Sequence, residues 1–153
     1  KEVRLRYGYV ICCEEVVQDA TGKISELRCI YDPQTAKGVQ PEGRKVKGII
    51  HWVSASQSIS AEVRLFDRLF LEASPGSQHE DGDFLKDLNP DSIKILKDCR
   101  IESSLKEFEN GDSIQFERLG YFCKDPKVSS ETLPVFNRIV TLRDTWTKIK
   151  DQL

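Results

Sequence analysis

Gln115 and Arg118 stand three positions apart in a stretch, residues 113–123, whose other members read as sheet. A glutamine amide both donates and accepts hydrogen bonds, and an arginine presents a planar fork of donors. Together they can satisfy a base edge or a phosphate in a way that Lys or Glu cannot. Arg4 and Arg6 fall on one parity of the run 3–17 and so share a face of any strand built there. Such a pair can clamp a phosphate or an unstacked base, or can be the solvated charge that protects a sheet edge. Arg44, Lys45 and Lys47 precede the apolar segment 49–53 and carry the same two readings.

Other chemistries lack their residues. There is no GxxxxGK[ST], no GxGxxG and no GxSxG, and no acid is paired in sequence with a base that would nominate proton transfer. The five cysteines (Cys12, Cys13, Cys29, Cys99, Cys123) are odd in number and form no CxxC. They read as reduced thiols rather than a zinc site or a disulfide framework. Cys12 and Cys13, being adjacent, point to opposite strand faces, which argues against a joint role. Of the two histidines, His51 beside Trp52 reads as a packed structural residue, and His79 in a Gly/Ser/Asp-rich loop carries no signal.

Strands must position these groups. Alternation in 113–123 puts Ile114, Phe116 and Phe122 on one face and Gln115, Glu117, Leu119 and Tyr121 on the other. Strict alternation would bury Arg118, so a bulge or kink beside Gly120 is expected to swing it to the Gln115 side. Residues 3–17 read as one strand-forming run, closed by a turn at 19–23 onto a strand over 24–31. Residues 62–70 form another strand, with bulk on both parities. The Gly/Ser/Asp-rich segment 73–83 is the clearest punctuation, followed by one helical turn at 84–88; a module boundary falls in this region. Beyond it come a strand at 92–97, a short helix at 104–108 capped by Ser103 or Ser104 and ended by Gly111, and a strand at 135–142. Strands spaced by turn formers at these intervals predict a mainly β protein of barrel or sandwich type.

The chain has 153 residues and a formal net charge of −2, so global electrostatics do not draw it to nucleic acid. Any RNA contact must come from a local basic face. The absence of Met and the opening Lys1-Glu2-Val3-Arg4 lead us to expect a piece of a longer polypeptide. No segment has the length and apolarity of a membrane span, and no signal peptide is seen, so a cytoplasmic setting is expected.

Several motifs occur in an order that resembles one family. EVRLR (2–6), GRKVKGIIHWVS (43–54), EVRLFDRLF (62–70), QFERLGYFC (115–123), PVFNR (134–138) and LRDTW (142–146) together resemble the C-terminal, anticodon-binding region of glutaminyl-tRNA synthetases. The resemblance implies two linked antiparallel β-barrels of the ribosomal protein L25 type. Residues 1–90 would form the distal barrel and 91–153 part of the proximal one, lacking its opening strands. It implies that Gln115 and Arg118 line the pocket for the middle anticodon base, a uridine, that Arg4, Arg6 and Tyr7 border the first base, and that Arg143 touches RNA backbone. The family has Asn where this chain has Tyr7. The partner implied is the anticodon loop of a glutamine tRNA. The parent enzyme, expected to be monomeric, would use ATP and magnesium to join glutamine to that tRNA on a separate catalytic domain; this chain carries no catalytic residue and no cofactor of its own. Two neighbours of this reading are the related C-terminal region of glutamyl-tRNA synthetases and an L25-type ribosomal protein. A non-catalytic protein-interaction barrel with arginines as surface charge is the reading from a different class.

Overall fold

The computed structural model describes residues 1–142. It is mainly β, with two sheets in two compact units, Lys1–Trp52 and the chain from Val53 on.

The first unit holds β1 (Glu2–Leu5), β2 (Val10–Gln18), β3 (Ile24–Asp32) and β4 (Gly48–Ile50) in the order β3-β2-β1-β4, with β1 and β4 parallel. The run expected as one strand over 3–17 is broken at Arg6, Tyr7 and Gly8. There the Gly8 amide donates to the Leu5 carbonyl at 2.8 Å and the Leu5 amide to the Tyr9 carbonyl at 2.9 Å, closing a hairpin. The turn expected between β2 and β3 forms around Asp19, whose carboxylate accepts from the Thr21 and Lys23 amides at 2.8 and 3.1 Å, with Gly22 at φ 81°. A 3-10 segment, Pro33–Gly38, follows β3 and brings Thr35 inside. The fully buried Thr35 hydroxyl accepts from the Val10 amide at 2.8 Å and donates to the Asp32 carbonyl at 2.7 Å. β4 is shorter than the expected segment 49–53, and His51 lies beyond it, exposed rather than packed.

The second unit orders its strands β6-β5-β9-β8-β7: β5 (Ile59–Phe66), β6 (Ile93–Ile101), β7 (Ser113–Phe116), β8 (Gly120–Lys124) and β9 (Val135–Val140), with β5 and β9 parallel. Segments on either side of residue 90 therefore share one sheet, since β5 pairs with β6 from Ile59↔Ile101 to Phe66↔Ile93. The core is the inward face of this sheet, with Ala61, Val63, Ile101, Leu105, Phe122 and Phe136 buried together. The Phe116 ring meets Phe122 and Phe136 edge-on at 5.0 and 5.5 Å, a favoured arrangement for aromatic pairs. Closure of either sheet into a barrel is not seen among the described residues.

The helical expectations are met by 3-10 segments. Phe84–Asp87 is capped by the Asp83 carboxylate, which accepts from the Leu85 amide at 3.0 Å. Ser103–Glu107 starts from Glu102, with no side-chain cap from either serine. The loop before β6 is clasped by Asp87, whose two oxygens take the Gly76 amide and His79 Nε2, each at 2.7 Å.

Candidate nucleic-acid interface

Residues 113–123 form a hairpin rather than one kinked strand. β7 and β8 pair in the register Ser113↔Cys123, Ile114↔Phe122, Gln115↔Tyr121 and Phe116↔Gly120. The expected alternation holds in each arm: Phe116 and Phe122 pack in the core while Gln115 and Tyr121 are exposed side by side. Arg118 escapes burial by a turn and not by a bulge. The Leu119 amide donates to the Phe116 carbonyl at 2.9 Å, and Arg118 takes φ 65° at the third turn position, which type II turns usually give to Gly or Asn. Its side chain is exposed and has no hydrogen bond or ion pair among the described residues. Gly120 completes the reversal. At φ 147°, its position would bring a Cβ within 2.5 Å of the Val140 carbonyl oxygen, so the close approach of β8 to β9 requires glycine.

The β1–β2 tip repeats this arrangement. Tyr7 has φ 59° in the third position of the turn Leu5-Arg6-Tyr7-Gly8 and is 77% exposed. The Arg6 guanidinium lies 4.9 Å from the Tyr7 ring centroid, with Nη2 3.3 Å from the phenol oxygen, so cation and ring form one planar-faced patch. The Arg6 backbone is fixed by the Ile50 carbonyl, which accepts its amide at 2.9 Å, and by the Trp52 indole, which donates to its carbonyl at 2.9 Å.

Arg4 is placed differently from its sequence partner. It is 5% exposed, and its guanidinium donates to the carbonyls of Gly8, Thr35 and Val39 at 3.1, 3.1 and 2.6 Å. Three charge-assisted bonds offset the desolvation of this cation and tie the tip to the 3-10 segment. Strand parity places Arg4 and Arg6 on one face, but the turn begins between them and only Arg6 follows it outward. Arg44 is engaged as well, bonding Glu2 at 3.0 Å and Asp32 at 2.6 Å, while Lys45 and Lys47 are exposed. Arg143 lies outside the described residues. The structure thus brings Arg6 together with Tyr7 on one tip and Gln115 with Arg118 on another, the two tips belonging to different units.

A groove of about 650 Å³ in the second unit is lined by Leu65, Phe66, Asp67, Asp91, Ile93, Lys94, Ile95 and Arg138. Its two acids balance its two bases, and none of the expected RNA-binding residues lines it. Among the described residues no group of three or more His, Cys, Asp or Glu side chains is placed to hold a metal, and no helix is long and apolar enough to cross a membrane.

Comparison with known proteins supplies a frame for these tips. Residues 49–125 match the family described as the anticodon-binding domain of the class I tRNA synthetases for Glu and Gln. The chain is 56% identical over 146 residues to a glutamine–tRNA ligase of Pseudomonas syringae pv. tomato, covering 95% of this chain and 26% of that protein. It is 56% identical over 145 residues to the ligase of Pseudomonas putida, with 95% and 25% covered, and 54% identical over 145 residues to that of Azotobacter vinelandii, with 95% and 26% covered. The chain thus spans about a quarter of the length of these relatives.

Proposed function

The chain belongs to the anticodon-binding domain family of the class I glutamyl- and glutaminyl-tRNA synthetases, and from that membership we propose that it reads the anticodon loop of a glutamine tRNA. The glutamine assignment rests on relatives at 54–56% identity that are named glutamine–tRNA ligases. One observation carries the choice of residues. Two hairpins each turn on a bulky residue at positive φ, Tyr7 and Arg118, and each thereby holds planar polar groups out to solvent. Non-glycine residues in this region are uncommon and cost free energy, and such strain collects at binding sites.

In this reading Gln115 and Arg118 take the middle base, a uracil. The Gln115 amide answers a carbonyl and an imino group of the base edge, and the Arg118 fork takes a second carbonyl or the adjoining phosphate. Arg6 and Tyr7 meet the first base, the tyrosine ring supplying a stacking face and the guanidinium its donors. Arg4 acts through Arg6 and Tyr7 by fixing the tip, without touching RNA, and Arg143 is assigned a backbone phosphate. The two units, Lys1–Trp52 and the chain from Val53 on, are assigned to different barrels of the parent, in place of a division at residue 90, which would cut the β5–β6 ladder. That parent is proposed to be a cytoplasmic, monomeric ligase whose catalytic part, outside this chain, uses ATP and magnesium to attach glutamine.

Binding of the full-length protein to a glutamine-tRNA anticodon stem-loop tests the reading. Gln115→Ala and Arg118→Ala should each weaken binding by about 1–3 kcal/mol for the cognate loop. Equal affinity for loops with scrambled anticodons would leave only phosphate attraction and overturn sequence readout.

A further inference from the structure

The β2–β3 ladder sets Cys13 directly opposite Cys29, both as free thiols. Residues facing each other across antiparallel strands have Cα atoms about 4.5–5.5 Å apart, within the roughly 4.4–6.8 Å that a disulfide spans. Both side chains leave the same face of the sheet, the face on which Tyr9 and Tyr31 meet edge-on at 5.0 Å. The register shift between Cys13 and Glu15 opens the ladder immediately beyond the pair, and such a bulge gives the backbone room to adjust. Burial first, and then the neighbouring Cys13 thiol, raise the Cys29 thiol above its ordinary value, so its thiolate fraction is below that of an ordinary cysteine and its oxidation correspondingly slower. The Cys13 and Cys29 thiols lie on the carbonyls of Glu15 at 3.4 Å and Leu27 at 3.8 Å, contacts that a rotation about the side chain gives up. The remaining cysteines are differently placed: Cys12 pairs with Ile30 and so points to the other face, and Cys99 and Cys123 belong to the other unit.

We propose that Cys13 and Cys29 form a thiol–disulfide site, oxidised by a hydroperoxide to a cross-strand bridge that locks the β2–β3 hairpin. The Cys29 sulfur, the more exposed of the two, attacks the peroxide as thiolate, breaking the O–O bond and leaving a sulfenic acid while the departing oxygen takes a proton as water. The Cys13 thiolate then attacks the sulfenic sulfur, forming the S–S bond and releasing the second oxygen as water. Two thiols and one hydrogen peroxide yield one disulfide and two waters. An external dithiol reverses the change. This site is independent of the RNA-binding reading.

The test exposes the folded chain to hydrogen peroxide, alkylates the remaining thiols and maps peptides by mass. A chain lighter by two hydrogens, with three alkylatable thiols and the Cys13 and Cys29 peptides joined until reduced, is expected. Cys13→Ser should instead leave Cys29 as a sulfenic acid that a 1,3-dione traps, and Cys29→Ser should abolish the joined peptides. A bridge between other cysteines, a bridge only between chains, or sulfenic Cys29 accumulating in the wild-type protein would overturn the proposal. So would retention of all five thiols under peroxide that oxidises a free dithiol.

Discussion

Arg118 and Arg4 show how the same residue type is put to opposite uses. Arg118 occupies a left-handed conformation that costs an L-residue roughly 1–2 kcal/mol, and no intramolecular partner of its side chain offsets this among the described residues. Arg118→Asn keeps a residue that tolerates this region. It should leave stability unchanged or raise it by about 0.5–1 kcal/mol, while weakening binding of the anticodon loop by about 1–3 kcal/mol. Urea unfolding and stem-loop titration on the same protein check both signs, and a loss of stability would make Arg118 a structural residue. Arg4 should behave inversely. Arg4→Ala strands three carbonyls and opens a cavity under the β1–β2 tip. A loss of about 3 kcal/mol in unfolding free energy is expected, with RNA affinity falling only as the tip loosens. The parity rule joined Arg4 to Arg6 because it presumes an unbroken strand, and nothing in residue type announced that Tyr7 would turn.

Both elements that carry the proposed readers are hairpins hidden inside apparently continuous strand patterns. The alternation of Ile114, Phe116 and Phe122 against Gln115 and Tyr121 was legible, because antiparallel pairing with this register preserves parity through the turn. The reversal was not, since Glu-Arg-Leu contains none of the usual turn residues and only Gly120 hinted at it. Gly120→Ala tests how firmly the reversal is fixed. The added methyl would lie 2.5 Å from a backbone oxygen of β9, at a φ that alanine avoids. A destabilisation of about 3 kcal/mol is expected, together with lost chemical-shift dispersion at Gln115 and Tyr121. The loop before β6 is punctuation by composition, yet Asp87 gathers it. The Gly76 amide and then His79 hold the Asp87 carboxyl below the usual carboxylate range. A carboxyl depressed on folding contributes stability above its unfolded value, near 3.9, and that contribution is lost as pH falls through the lower folded value. Protection of the Gly76 amide from hydrogen exchange, corrected for intrinsic rates, should therefore hold at neutral pH and drop as the solution is acidified below about pH 4. Asp87→Asn should show the lower protection already at pH 7.

At the scale of the whole molecule, charge sets how the tips find their partner. Acids outnumber bases, 25 to 23, so the chain as a whole repels polyanions weakly, and attraction has to come from local cations. Several arginines that composition would count toward RNA are consumed internally: Arg4 on carbonyls, Arg28 on Glu15 and Glu26, Arg44 on Glu2 and Asp32, Arg64 on Glu62. This is why the basic face could not be read from the sequence, where an arginine paired inside the fold and one held out to solvent look alike. Exposed cations such as Arg118, Lys45 and Lys47 are among those left to meet phosphate. If two to four such cations meet phosphate, single-strand counterion release at about 0.7 per contact predicts that affinity falls between roughly sevenfold and fiftyfold from 50 to 200 mM salt. A fold that serves only as a protein-interaction module predicts no salt-dependent RNA binding at all. Replacing Lys45 and Lys47 together by alanine should flatten the salt dependence by about 1.4 in slope if both contact phosphate, and should do so equally for cognate and scrambled anticodons. Arg118→Ala should instead reduce the difference between those two loops. Titrations of the full-length protein and these variants at three salt concentrations separate the two effects, because phosphate contacts set the slope and base contacts set the gap between loops.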